Sequence, residues 1–150
     1  MSKEKLKPNY DAPFPQADNF EILISTLKML ENGDTLEDWI ATFDYHQRQF
    51  HYYFNALKWM GFTKGKPAKP EVTDLGRTVL NETIEKRGKK ILEILQKDPV
   101  FAETMLHKPS MMLNIASGIL YRNDPNMSSI TVTRRAQTIK SWIIELDNFK

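Results

Sequence analysis

The stretch that decides the fold reads Arg48-Gln49-Phe50-His51-Tyr52-Tyr53-Phe54-Asn55-Ala56-Leu57-Lys58-Trp59-Met60-Gly61-Phe62-Thr63-Lys64-Gly65-Lys66-Pro67-Ala68-Lys69-Pro70. Up to Met60, apolar side chains recur at helical spacing, namely at Phe50, Tyr53, Phe54, Leu57 and Met60. After Gly61 the period changes, and the lysines lie among Gly and Pro residues that are typical of turns. The stretch therefore predicts a helix that is followed directly by a small β-hairpin with a basic tip.

Two helices are predicted before this stretch. The first has Asp18 and Glu21 at the spacing of a capping box, and it ends at Asn32-Gly33. The second is short and starts from Thr35, and the third begins after Asp44. Helix, short helix, longer helix and basic hairpin follow one another in the order of a winged helix-turn-helix domain, in which the third helix enters the major groove and the wing lies along the DNA backbone. We assign this unit to residues 18–82.

Residues 1–17 are rich in Lys, Pro and Asn without periodicity, which predicts an extended and partly disordered arm. Residues 83–150 begin a second series of helices, predicted at Ile84–Leu95, Val100–Leu106 and Ser110–Tyr121, with a Ser/Thr-rich lead-in (128–133) to a last helix. A shift of 86 residues superimposes the apolar face of this last helix on that of the third helix, pairing Phe50 with Ala136, Tyr53 with Ile139, Leu57 with Ile143 and Met60 with Leu146.

The repeat predicts a second unit that resembles a helix-turn-helix and lacks a wing, because the sequence ends where a wing would start. The predicted fold is mainly α with a small β-hairpin wing, in tandem winged-helix and helix-turn-helix units. Trp39, Trp59 and Trp142 lie at core spacing, so we expect the two units to touch around the helices that carry them.

Two windows contain no acidic residue, Tyr45–Pro70 with five cations and Pro125–Ile144 with three. The formal net charge of the chain is +2, so the rest of the chain carries −6. Local positive potential, rather than global charge, decides where nucleic acid binds. The windows therefore predict two contacts with DNA.

The candidate DNA-binding residues form three groups. Arginine recognises guanine bidentately, and Asn or Gln recognises adenine, so the polar face of the third helix suits base edges. The hairpin lysines suit phosphates. The last helix has an outer face that includes Ser141. Arginines near the start of a helix are unfavourable beside the positive end of its dipole, so a partner or a phosphate is expected to bind them. The candidates are Gln47, Arg48, His51, Tyr52 and Asn55 on the third helix, Lys64, Lys66 and Lys69 on the hairpin, and Arg134, Arg135 and Thr138 on the last helix.

Several classes of activity have no support in the sequence. The chain has no cysteine, which excludes thiol nucleophiles and cysteine zinc sites. No Asp or Glu is followed two positions later by Lys, as carboxylate-metal nucleases require, and the three histidines fit no metal motif. We therefore expect no enzymatic activity, no metal and no cofactor. The N-terminus lacks a signal-peptide pattern and no stretch approaches a membrane span, which predicts a cytoplasmic protein without membrane contact.

A resemblance covers roughly residues 16–146. The chain resembles the winged-helix DNA-recognition modules associated with type II restriction endonucleases, and its most specific element is the Arg-Arg-Ala-Gln-Thr segment at 134–138. The residues that carry the resemblance are Phe43-Asp44, Arg48-Gln49, Tyr52-Tyr53, Ala56-Leu57, Gly61-Phe62, Val72-Thr73-Asp74-Leu75-Gly76, Arg134-Arg135-Ala136-Gln137-Thr138 and Ser141-Trp142. The resemblance implies sequence-specific recognition of double-stranded DNA in a restriction system, normally coupled to a nuclease domain that this sequence does not contain. A stand-alone reader, a separate specificity subunit that works with a nuclease subunit, and a fragment of a larger protein all stay open.

The function expected from the sequence is a double-stranded DNA-recognition module. Two other classes stay open. One is a protein–protein adaptor built on winged helices, which the acidic remainder and exposed aromatic residues would suit. The other is a small transcription regulator or antitoxin. The sequence predicts neither the target site nor the oligomeric state.

Overall fold

The structure of the protein is a computed structural model that describes residues 6–149. It is mainly helical with one two-stranded antiparallel hairpin, which confirms the predicted fold class. The first five residues of the predicted arm lie outside the described range. The elements are α1 (Phe20–Glu31), α2 (Leu36–Phe43), α3 (Gln47–Trp59), β1 (Thr63–Lys66), β2 (Lys69–Val72), α4 (Asp74–Asn81), α5 (Ile84–Gln96), α6 (Pro99–Thr104), α7 (Pro109–Asn123), α8 (Ser129–Glu145) and a closing 3-10 turn (Asp147–Phe149).

Local capping chemistry sets the boundaries of the first helices. Asn19, rather than the predicted Asp18, caps α1, and its side chain accepts a hydrogen bond from the backbone N–H of Ile22 at 3.1 Å. Thr35 and Asp38 form a reciprocal capping box at the start of α2. His46 caps α3 in a capping box with Gln49, and its backbone N–H donates to Gln49 Oε1 at 2.8 Å. Such caps satisfy N–H groups that the first turn leaves unpaired.

The turn between α2 and α3 depends on one left-handed residue. Asp44 has φ 54°, a conformation that Asp tolerates better than most residues, and its N–H donates to Ile40 O at 2.8 Å. Three residues then suffice to reverse the chain, and α1 and α2 both pack on α3. The hairpin follows α3 directly, with β1 against α3 and β2 against α1.

The last helix starts earlier than the sequence indicated. Ser128 caps α8 by accepting the Thr131 N–H at 3.1 Å, so the predicted Ser/Thr-rich lead-in is the first turn of the helix. Val132 is buried there, and this burial offsets the poor helix propensity of the segment. Arg134 and Arg135 consequently lie in the second turn, and the argument from the helix dipole does not apply to them.

One apolar core runs through both predicted units. The eight residues paired by the internal repeat are all buried, and so are Trp39, Trp59 and Trp142. Trp59 of α3 and Trp142 of α8 have ring centroids 6.4 Å apart, in line with the expected contact between the units. Phe101 of α6 packs beside both rings, with its centroid 5.6 Å from that of Trp59 and 5.8 Å from that of Trp142.

The described part of the arm, residues 6–17, contains no helix or strand and is packed on the core. The backbone N–H of Asn9 donates to Trp59 O at 2.7 Å, and Trp142 Nε1 donates to Ala17 O at 2.8 Å. Ala12 and Ala17 are buried. The expectation of disorder is therefore wrong for these residues: the arm is extended, but backbone and indole hydrogen bonds fasten it to both halves. No helix in residues 6–149 combines the length and apolarity needed to cross a membrane.

We predict that Gly76→Ala destabilises the protein by about 1–3 kcal/mol, because overpacking is relieved only by backbone movement. A methyl group at this position in α4 would overlap the carbonyl oxygen of Phe62 and come within 2.9 Å of Val72 Cγ1. Gly118→Ala in α7 is the matched control, since its methyl group meets no atom within 4 Å. The control should gain roughly 0.5–1 kcal/mol from helix propensity. Urea unfolding measures both, and equal effects would contradict the close packing of α4 on the hairpin.

The arm also predicts a dependence of stability on pH. The Tyr10 hydroxyl donates to Asp98 Oδ2 at 2.9 Å, and partial burial, together with that carboxylate, raises the pKa of Tyr10 from 10.0 to about 12. Because the folded pKa is raised, the neutral tyrosine stabilises the folded state fully below pH 10, and this contribution is lost as the pH rises through about 12. The difference in unfolding free energy between the wild type and Tyr10→Phe should therefore be constant up to pH 9 and shrink above it. A constant difference up to pH 12 would contradict the bond.

Candidate nucleic-acid interface

The five candidates on α3 occupy its solvent side. Gln47 and Arg48 are exposed, whereas His51, Tyr52 and Asn55 are half-buried. The opposite side carries the helical stripe that packs into the core, with Phe50, Phe54 and Leu57 almost fully buried. The helix has no acidic residue, so its solvent side combines positive charge with amide, imidazole and phenol groups.

The hairpin presents its lysines on one face. Its register pairs Lys64 with Glu71 and Lys66 with Lys69, and side chains directly opposite each other on an antiparallel pair lie on the same face. All three lysines are exposed, while Thr63 and Val72 face the core. Two like charges in direct opposition destabilise a hairpin unless an anion lies near them. The pair Lys66–Lys69 is therefore a candidate phosphate contact at the tip.

Lys58 ties α3 to this hairpin, a role that the sequence did not reveal. Its Nζ donates to Gly65 O at 3.1 Å. Gly65 and Pro70 form a non-hydrogen-bonded pair of the hairpin, so the Gly65 carbonyl points away from β2 and is free to accept from the ammonium group. The only sequence signal was a lysine in the last turn of a helix followed by a proline-bearing hairpin. The bond fixes the lysine face of the hairpin relative to α3.

The two acid-free windows meet at Tyr52. Arg48 Nε donates to the Tyr52 hydroxyl at 3.2 Å, and Nη1 of Arg134, from α8, donates to the same oxygen at 3.2 Å. The guanidinium carbons lie 5.8 Å and 5.9 Å from the centroid of the Tyr52 ring, within the range of cation–π attraction. One tyrosine thus joins an arginine of the first unit to an arginine of the second.

The three residues border a cleft between the start of α3, α8 and the end of the arm. Its volume is about 510 Å³. The sequence pattern did not single out the residues of the arm or of the turn before α3, because only the folded chain brings them together here. The lining comprises Gln16, Asp18, Tyr45, His46, Arg48, Gln49, Tyr52, Tyr53, Arg134, Gln137 and Thr138.

Two candidates on α8 lie elsewhere than predicted. Thr138 is fully buried and its hydroxyl donates to Arg134 O at 3.0 Å, so it cannot belong to the outer face. It is buried because the inward arc of α8 is wider than one stripe and packs on α1, α6 and α7. Arg135 is half-buried, with its guanidinium carbon 5.5 Å from the centroid of Phe14 in the arm. Ser141, also expected outside, donates its hydroxyl to the carbonyl of Asp18.

Burial governs the electrostatics around the cleft. Desolvation lowers the pKa of Arg135, and the nearby Asp124 partly opposes that shift. Desolvation raises the pKa of Tyr53, although its oxygen accepts the Asn19 N–H at 3.3 Å. Tyr53 therefore stays neutral beneath the cleft, whereas Arg48 and Arg134 carry exposed positive charge. Within residues 6–149, no three His, Asp or Glu side chains lie close enough together to hold a metal ion.

Comparison with known proteins identifies one family. DUF7226, described as a domain of unknown function, matches residues 22–146, and the chain belongs to this family. No curated protein and no solved structure is significantly similar to the chain. The matched range begins in α1 and ends just after α8, so it includes the hairpin, Tyr52 and Arg134.

The burial of Thr138 can be tested by comparison with its exposed neighbour Gln137. We predict that Thr138→Lys destabilises the fold by about 2–4 kcal/mol, because the ammonium group would be buried without a partner. Gln137→Lys adds the same charge at an exposed position and should change stability by no more than about 0.5 kcal/mol. Chemical denaturation compares them. If Thr138→Lys were as stable as Gln137→Lys, the burial of this side of α8 would be refuted.

Proposed function

We propose that this member of the DUF7226 family binds double-stranded DNA through α3, the hairpin wing and the exposed side of α8. The observation that carries the proposal is the convergence of Arg48 and Arg134 on Tyr52. It brings together, at one surface, residues of two segments that contain no acidic residue and hold eight cations between them. A polyanion with phosphates on two strands is a ligand that such a surface suits.

The shape of the unit supports the same ligand. The helix α3 has 13 residues, about 20 Å of length, and the major groove of DNA is about 12 Å wide and accepts one helix. Gln47, His51 and Asn55 lie on its solvent side and carry donors and acceptors that suit base edges. The wing follows at the end of the helix, where its lysine face would lie along a strand of phosphates.

In this proposal the chain recognises DNA and performs no catalytic step. In a restriction system, as the sequence resemblance implies, a nuclease domain or subunit would supply the cleavage. An adaptor for another protein is the alternative, and it predicts no dependence on phosphates.

The decisive experiment is duplex binding as a function of salt. If the protein neutralises about five phosphates, log affinity should fall with log salt concentration at a slope of about −4 to −5. Lys66→Ala should weaken binding to every duplex and reduce the magnitude of the slope by about one. Lys86→Ala on α5 removes the same charge at an exposed position of a helix with no major contact to α3 or α8, and it should change neither. Fluorescence anisotropy with labelled duplexes measures each case.

Sequence preference is read in the same assay with a randomised duplex pool. Asn55→Ala should abolish the sequence preference at one base pair and reduce the binding free energy for the preferred duplex by about 1–3 kcal/mol. Absence of duplex binding by the wild type at low salt would falsify the proposal and leave the adaptor reading. Salt-dependent binding with no preferred sequence would limit the function to nonspecific DNA binding.

A further inference from the structure

The hydrogen bonds around Tyr52 leave the cluster short of acceptors. A tyrosine oxygen has two lone pairs, and the two arginine donors engage both of them. The hydroxyl hydrogen then remains to be donated, and within residues 6–149 it finds no acceptor. Each guanidinium also keeps N–H groups beyond the one it gives to Tyr52. Everything that this cluster offers to the cleft is therefore a donor.

The cluster is also short of negative charge. In the described residues, neither Arg48 nor Arg134 has a carboxylate oxygen within 4.0 Å, whereas Arg77 has two carboxylate partners and Arg122 has one. Both guanidiniums are exposed and are held at one oxygen despite their mutual repulsion. Asp18 lines the same cleft without an ion pair to either. An acceptor-rich anion would supply the missing charge and the missing acceptors together.

We infer that Arg48, Tyr52 and Arg134 form a binding site for one phosphate group, and that in the complex this group is a backbone phosphate of duplex DNA. The inference rests on the proposed function for the source of the phosphate, but the chemistry of the site does not depend on it. It assigns Arg48 to the backbone rather than to a guanine edge, and leaves base reading to Gln47, His51 and Asn55. A terminal phosphate of a nucleotide has the same chemistry and is the other source.

The first experiment uses inorganic phosphate on the whole chain. The arginine Nε–Hε signals are followed by NMR at constant ionic strength with chloride as the reference anion, and Arg48→Lys and Arg134→Lys assign them. The signals of Arg48 and Arg134 should shift together and saturate, while that of Arg122 stays in place. Either lysine variant should weaken phosphate binding at the remaining arginine. If only one signal shifts, or neither does, the shared site is overturned.

Asp18→Asn should strengthen phosphate binding rather than weaken it, and damage to the fold could not cause such a gain. Removal of a carboxylate from the cleft should tighten phosphate binding roughly two- to fivefold, the size expected for a partly exposed charge pair. Weaker or unchanged binding would contradict a phosphate within this cleft. The same titration with a nucleoside 5′-monophosphate tests the other source: a preference for it over duplex would overturn the assignment to the DNA backbone.

The second experiment is a double-mutant cycle on duplex affinity with Arg48→Gln and Arg134→Gln. If both residues hold one phosphate, each single variant loses about tenfold and the double variant loses far less than the product of the two losses. Its salt slope falls by about one rather than two. Tyr52→Phe should remove the coupling, because the shared hydroxyl positions both side chains. Arg122→Gln, with the same loss of charge, is the control.

The outcomes separate the two hypotheses. Phosphate binding by the cluster in a protein that binds no duplex would support the site and overturn only the proposal of DNA as its source. Duplex binding with additive losses in the cycle would support DNA binding and overturn the shared phosphate.

Discussion

The contact between Trp59 and Trp142 is the constraint on which the proposed DNA-binding surface depends. Each ring belongs to a helix that carries part of that surface, and Phe101 packs against both rings. Tyr52 precedes Trp59 by seven residues and Arg134 precedes Trp142 by eight, so both lie about two helical turns from the aromatic contact. The rigid aromatic contact thus fixes the distance between the polar groups that α3 and α8 carry about two turns away. Single hydrogen bonds at an exposed site would not hold two arginines together on their own.

Packing also explains how like charges persist at this surface. Lys66 and Lys69 face each other because the hairpin register requires it, and Arg48 and Arg134 share an oxygen because the helices beneath them are fixed. In both places the fold holds cations close together, and none of the four forms an ion pair with a carboxylate of residues 6–149. A solvated surface with no binding role gains nothing from such an arrangement, whereas an anion turns each repulsion into an attraction. The unpaired charges are therefore better explained by a ligand than by stability.

The sequence predicted what periodicity encodes. The helices, the burial of the three tryptophans and the matching faces of α3 and α8 follow from apolar spacing, and the hairpin follows from its Gly and Pro residues. Thr138 was misplaced although a signal existed, since it lies one turn before the core residue Trp142. The bond between Tyr52 and Arg134 joins residues 82 positions apart, and no local pattern reports such a distance. Whether the candidate residues bind DNA stays a prediction.

The arm shows why the cleft is a property of the whole chain. Its polar, proline-rich sequence predicted a partly disordered arm. In the structure, however, the Ala17 carbonyl accepts the indole N–H of Trp142, and the Asp18 carbonyl accepts the hydroxyl of Ser141. These bonds lay the end of the arm along α8, where Gln16 and Asp18 become one wall of the cleft. Since the same arm is bound to Trp59 through Asn9, it spans the two helices whose arginines meet at Tyr52. The arm therefore adds a second tie, independent of the aromatic core, between the halves of the proposed phosphate site.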